Sequence, residues 1–314
     1  MSLNIFIFFV LIFLFWSFVT ALFIIYSQHF RNRKSYNYLL PPLQESIKSG
    51  CIGLIYEDIS FITSDRLTIN AWYVPPPENH LGCTHKPPVI IALHGGMDDR
   101  RYYLPLLPAI NKAGFAMLML DGRNHGTSDF DPRGMTTVGI REARDLKAAL
   151  DYLDKHKQHG KVGIVGVSNG SAAAISITSS DRRVSAIVVE STGYNVQFIA
   201  QKIYRWIPLW LSYFFGSVLM LLVGSGLKNA IHCRGPQLDL VKKIPISVPV
   251  LFIHGRKDHL TPLRYVEHLY KAKRGQKELV VYDNARHAVI RFEERKFVAH
   301  VSRFFIKYLF PGHK

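Results

Sequence analysis

Gly166-Val167-Ser168-Asn169-Gly170 follows the apolar run Lys161 to Val165 and precedes the small-residue run Ser171 to Ala174. A serine hydroxyl is a weak nucleophile until a base can take its proton. It must also stand out from the backbone, and a sharp strand-to-helix turn presents it. Glycines two residues before and two after then remove the Cβ atoms that such a turn would crowd together. Downstream, Val248 to Ile253 reads as a buried strand that runs into His254-Gly255-Arg256-Lys257-Asp258, with Pro262 placed to open a helix. Glu278 to Tyr282 reads as a short strand leading into Asp283-Asn284-Ala285-Arg286-His287. Three strand ends thus offer a serine, a carboxylate and an imidazole in chain order. The chemistry of such a set is acyl transfer. Ser168 attacks an acyl carbon, and His287 carries the hydroxyl proton to the leaving group. Asp258 fixes the imidazole tautomer and stabilises the imidazolium.

Each role has rivals. His125, His254 and His259 compete with His287. His94 and His254 precede glycines at strand ends, which suits buried structural histidines, and His259 is too close to Asp258 in sequence to face it. Glu190, after the apolar run 184–189, is the alternative acid. The strand Pro88 to Leu93 ends in His94-Gly95-Gly96. The loop after such a strand and the residue after the nucleophile supply oxyanion-binding amides. They are assigned to the N–H groups of Gly96 and Asn169, with Met97 a rival for the first.

Five segments in this order, LHGG at 93–96, DGRNHGTS at 121–128, GVSNG at 166–170, HGRKD at 254–258 and NARHA at 284–288, resemble the α/β-hydrolase superfamily. The likeness spans about 51–312. It is strongest to membrane-anchored, bacterial-type serine hydrolases grouped with lipases, esterases and serine-aminopeptidase-like members. The resemblance implies that the segment of Asp121, Arg123 and His125 shapes a loop and stays outside the triad. It also implies a cap over the site, here an insertion at about 192–244. That insertion is unusually apolar, with no charge from Trp206 to Gly226.

The elements that must position these residues follow from periodicity. Ile52–Phe61 and Leu67–Val74 read as an antiparallel pair. Strands at 88–94, 115–120, 161–167 and 184–189 alternate with helices at about 100–113, 140–155 and 169–179, which predicts a mostly parallel sheet covered on both faces. Ala143, Leu146, Ala149, Leu150 and Leu153 form one core-facing stripe. Val289 to Leu309 reads as a closing helix. The expected fold class is α/β, an α/β-hydrolase fold with a cap insertion and an N-terminal transmembrane helix.

Leu3 to Tyr26 carries no charge, long enough for one membrane span. A signal peptide would show a basic segment before the run and a cleavage site after it, and neither is present. Residues 1–27 are therefore read as an anchor, 28–50 as a juxtamembrane linker and 51–314 as the hydrolase domain. Arg31, Arg33 and Lys34 follow the run, which keeps the domain on the cytoplasmic side. Cys51, Cys83 and Cys233 are odd in number and widely spaced, which fits a reducing compartment.

The chain of 314 residues bears a net charge of +16. Its basic residues are dispersed without a nucleic-acid-binding module, so nucleic acid is not an expected partner. An anionic membrane surface and a merely basic soluble surface stay level as explanations. His80, Cys83 and His85 lack a second ligand cluster, so no metal is assigned. Neither a dinucleotide fingerprint nor a P-loop is present, and no cofactor is expected. The expected partners are an acyl ester or lipid substrate and a membrane, and the oligomeric state stays open. A peptidase of the same fold is the second reading, and a non-catalytic tethered binding module the third.

Overall fold

The computed structural model describes residues 10, 11, 13–17, 54–77, 86–96, 98–132, 137, 139–192 and 236–310. Eight strands form one sheet: β1 (Glu57–Ile62), β2 (Thr68–Val74), β3 (Val89–Leu93), β4 (Ala116–Leu120), β5 (Val162–Val167), β6 (Val184–Glu190), β7 (Val250–Gly255) and β8 (Lys277–Tyr282). Their spatial order is β1-β2-β4-β3-β5-β6-β7-β8. The pairs β1–β2 and β2–β4 are antiparallel and all the others parallel. Every residue of β3, β4, β5 and β7 is buried. That is why these strands read as continuous apolar runs and not as alternating ones.

Alternate residues of the inner strands feed two cores. Val89, Ile91 and Leu93 join the helices α2 (Glu142–His156) and α3 (Asn169–Thr178), while Ile90 and Ala92 join α1 (Leu107–Lys112) and α6 (Glu294–Leu309). The predicted stripe on α2 is buried at all five positions. On α6, Phe297, Val301, Phe304 and Phe305 are buried, whereas Phe292 precedes the helix and is exposed.

Two expectations need correction. The helix expected over 100–113 is a 3₁₀ turn at Arg100–Tyr103, a bend, and then α1. Asp99 caps the turn by accepting the Arg101 N–H, and Pro108 enters α1 in its first turn, where it needs no N–H. The first strand starts at Glu57 and not at residue 52. Inside the expected insertion, Pro236–Lys243 forms a helix, α4, that packs on α3 and on α5 (Leu263–Ala272). Val241 and Ile244 are buried in the core, so this end of the segment belongs to the hydrolase body.

Of the apolar N-terminal run, residues 10, 11 and 13–17 are described and helical. The rest of that run, the linker, the loop at 78–85 and the segment 193–235 lie outside the described residues. Among the described residues, no helix is long and apolar enough to cross a membrane.

Candidate active site

β3 and β5 are neighbours, but the chain passes from β3 outward to β4 before returning to β5. The strand order reverses there, and in open parallel sheets the crevice for ligands opens at the C-terminal ends of the strands at such a point. His94-Gly95-Gly96 ends β3 and Ser168 ends β5, so both sequence candidates meet at this crevice.

Ser168 has φ 53° and ψ −111°, a conformation that a residue with a Cβ adopts only under constraint. The constraint is visible. The Ser168 N–H donates to the Glu190 carbonyl at 2.9 Å, and α3 begins at the next residue. A Cβ on Gly170 would collide with the Leu93 carbonyl and lie 2.7 Å from the His94 oxygen, and one on Gly166 would collide with the Gly170 carbonyl. Both glycines of the pentapeptide are therefore required by close backbone approach. Gly170→Ala is expected to lower stability by on the order of 3 kcal/mol, because backbone and not a flexible side chain must move. Urea denaturation checks this, and a loss below about 1 kcal/mol would contradict it.

Gly95 lies against the turn: a Cβ there would sit 3.4 Å from the Ser168 Cβ. A Cβ on Gly96 meets nothing within 4 Å, so its backbone borders open space. Met97 lies outside the described residues. His94 is buried and not reactive. Its Nε2 accepts the Gly122 N–H at 3.0 Å, and its Nδ1 lies 2.7 Å from the Gly95 oxygen. Burial, with the His125 charge adding, pushes its pKa down to about 3, so it stays neutral. This is the structural histidine that its place before a glycine suggested.

Asp258 and His287 are brought together. His287 Nδ1 is 2.8 Å from Asp258 Oδ2. Oδ2 also accepts the Thr261 hydroxyl at 2.7 Å, and Oδ1 accepts the N–H groups of Leu260 and Thr261, each at 2.9 Å. Burial alone would raise the Asp258 pKa. The His287 and Thr261 hydrogen bonds outweigh burial and hold it below the ordinary value. The turn 258–261 is thus a cradle that keeps the carboxylate ionised and aimed. The His287 loop reaches it because Gly255 has no side chain: a Cβ there would collide with the carbonyls of Ala285 and Arg286.

The rival histidine His254 is buried, and its Nε2 donates to the Thr261 carbonyl at 2.6 Å. Burial lowers its pKa. It supports the cradle from below. Glu190, the rival acid, is bonded to Tyr102 and Ile290 and not to a histidine. The role of Thr261 was not read from the sequence, although a threonine three residues after an aspartate and just before a proline is a signal for a capped turn.

Asp121 and Arg123 also serve structure. Asp121 Oδ2 is 3.1 Å from Arg100. Arg123, whose side chain is 0% exposed, holds Asp65, Asp131 and Asp145 at 2.9, 3.0 and 2.7 Å. Among the described residues, no group of three or more His, Cys, Asp or Glu is arranged to hold a metal ion.

The chain with this eight-stranded, mostly parallel sheet is matched by solved structures. The Pyrococcus furiosus esterase Pf2001 superposes with a TM-score of 0.65 at 25% identity, over 83% of this chain and 94% of that one. The family described as "Serine aminopeptidase, S33" matches residues 84–239. The family match and the fold support an α/β-hydrolase superfamily member. Curated relatives of this hydrolase include the alpha/beta hydrolase domain-containing protein WAV2 of Arabidopsis thaliana. That protein is 26% identical over 77% of this chain and 75% of its own length. The uncharacterized protein YqkD of Bacillus subtilis is 28% identical over 67% of this hydrolase and 68% of its own length. Family and fold together point to a hydrolase of esterase or peptidase type.

Proposed function

We propose that the protein is a serine hydrolase that cleaves a carboxylic ester, thioester or lipid acyl bond at a membrane surface. The observation that carries this reading is the 2.8 Å contact between His287 and an ionised, four-times-bonded Asp258. It occurs in a chain whose strained turn serine ends the strand at the sheet's reversal point. With Nδ1–H committed to Asp258, the His287 Nε2 is the basic nitrogen and takes the proton of Ser168 as its oxygen attacks the acyl carbon. The tetrahedral oxyanion is met by the N–H groups of Gly96 and Asn169. The imidazolium then protonates the leaving alkoxide or thiolate, and water repeats the sequence to release the acid. The likeness to a solved esterase supports acyl esters as the substrate class. The uncharged run Leu3 to Tyr26, followed by Arg31, Arg33 and Lys34, supports anchoring with the hydrolase domain on the cytoplasmic side.

A second reading, an aminopeptidase, is favoured by the family match. It requires anionic groups to bind a free amine, and the charge-free stretch from Trp206 to Gly226 opposes it.

Labelling of membranes from expressing cells with a fluorophosphonate tests the proposal. The wild type is expected to label and Ser168→Ala not to label. An acyl-ester series and a set of aminoacyl anilides then separate the two readings. Turnover of the anilides alone would replace the esterase reading with the peptidase one. Absence of labelling in folded wild type, with and without detergent, would remove both.

A further inference from the structure

Glu190 and Ser191 end β6 directly beside the Ser168 turn, yet the acyl-transfer scheme uses neither. The Glu190 side chain is fully buried. Its Oε1 accepts the Tyr102 hydroxyl and the Ile290 N–H, each at 3.0 Å. Ser191 Oγ accepts the Ala288 N–H at 3.1 Å. Two of the three amides that follow His287, those of Ala288 and Ile290, therefore end on one dipeptide. The main chain of that dipeptide holds the other side of the site. The Glu190 carbonyl accepts the Ser168 N–H at 2.9 Å and the Ser171 hydroxyl at 2.8 Å. The Ser191 carbonyl lies 3.4 Å from the hydroxyl of Thr261, the residue that bonds Asp258. Ser191 and Ala288 both have left-handed φ, 49° and 66°. Serine and alanine hold that conformation only where neighbours impose it.

We propose that Glu190 and Ser191 form a positioning element that sets His287 against Ser168 by holding the amides of Ala288 and Ile290 at the end of the strand that also anchors the nucleophile turn. This role rests on the hydrolase reading above. Burial, opposed by the hydrogen bonds from Ile290 and Tyr102, pushes the Glu190 carboxyl up to about 8. Asp98 after β3, Tyr102 and Tyr103 on the 3₁₀ turn and Tyr282 on β8 are the titratable groups that face it. Its Oε2 has no hydrogen-bond partner, which a neutral acid tolerates far better than a carboxylate. At pH 7 the clamp is thus a neutral acid, and glutamine copies its shape. The folded-state value lies above the 4.5 of free glutamate. The folded protein therefore keeps a proton that the unfolded chain releases. The resulting stability is complete below about pH 4.5 and is lost as pH rises through about 8.

The test compares full-length wild type with Glu190→Ala, Ser191→Ala and Glu190→Gln. The readouts are p-nitrophenyl butyrate hydrolysis, hydrogen exchange of residues 284–292 and Tm against pH. Both alanine variants are expected to lower kcat by about 10- to 100-fold with KM within about twofold, since a displaced base costs rate more than binding. Exchange at 288–290 is expected to accelerate in both. Glu190→Gln is expected to restore rate and protection, and its Tm should gain on that of wild type between pH 5 and pH 8.5. Unchanged kcat and exchange in the alanine variants overturn the proposal, as does a glutamine variant that behaves like alanine. If Glu190→Ala does not fold, Ser191→Ala decides, because it deletes a single hydrogen bond. If wild type hydrolyses no ester, the hydrolase reading falls and the exchange data alone judge the clamp.

Discussion

Turnover of an acyl ester is expected to fall on the order of 10⁶-fold in Ser168→Ala and about 10⁴-fold in Asp258→Asn, with both proteins folded. The two losses have different origins. Alanine removes the attacking atom, and what remains is the rate from binding and oxyanion stabilisation. Asparagine removes the charge that stabilises the imidazolium. It also presents an amide N–H where His287 Nδ1–H now donates at 2.8 Å, which favours the wrong tautomer. The turn itself should survive, since asparagine Oδ1 can still accept the N–H groups of Leu260 and Thr261. Steady-state kinetics and near-UV circular dichroism check both points. An Asp258→Asn enzyme within tenfold of wild type would assign the acid role elsewhere. Glu190 is a poor substitute, because its carboxyl is neutral at pH 7 and engaged with Tyr102 and Ile290.

Arg123→Leu is expected to destabilise the fold by about 3–5 kcal/mol, enough to lower Tm by on the order of 10 °C. The Arg123 side chain is wholly buried, and its guanidinium bonds Asp145 at 2.7 and 2.9 Å, Asp131 at 3.0 Å and Asp65 at 2.9 Å. Leucine replaces the volume and leaves the charges. Asp131 keeps Arg141 at 3.0 Å, and Asp65 keeps Arg144 at 2.8 Å. Asp145 keeps the Arg123 backbone N–H but loses the guanidinium. Burial already pushes the Asp145 carboxyl up to about 6 against the pull of Arg123, and without the guanidinium it rises further. An acid raised in the folded state costs stability as pH rises from its unfolded value through its folded one. The deficit of the variant should therefore be smaller at pH 5 than at pH 8. Urea midpoints at the two pH values measure it, and a deficit independent of pH would mean that Asp145 keeps another cation. The activity of the folded fraction should change little, because this nest lies behind the Asp121 loop and holds none of the proposed reacting atoms.

Much of this architecture is legible in the chain. The runs of β3, β4, β5 and β7 are apolar without alternation, and burial on both faces is the reason. The stripe on α2 is visible because a surface helix packs one side only. The pairing of Asp258 with His287 was readable because each follows a short strand and sits in a polar loop. The helix start at Leu107 was not readable. Leu104, Leu106, Leu107 and Ile110 fit a continuous helical period, and the break between the 3₁₀ turn and α1 arises where the segment packs on the interior strands β3 and β4. The helix α4 was hidden for a similar reason. Its eight residues hold too few apolar positions to announce a period, and Val241 earns its place only by contact with α3 and α5.

By itself, the sequence determined which chemistry was available and in what order along the chain it would appear. Glycine spacing, strand-end serine, aspartate and histidine are local facts, and local sterics decide them. The tertiary structure alone decided which of several like residues face each other. His94, His254 and His287 are all imidazoles at strand ends. Backbone groups engage Nε2 of the first two, and only the third hydrogen-bonds a carboxylate, one that four donors hold ionised against the effect of burial. Glu190 and Asp258 are both acids at the ends of neighbouring strands. One is kept neutral by burial and the other charged by its hydrogen bonds. Such differences are electrostatic and depend on groups up to about a hundred residues away in sequence, such as the Ile290 amide on Glu190. No window of the chain contains them, because desolvation and hydrogen bonding are properties of the packed state.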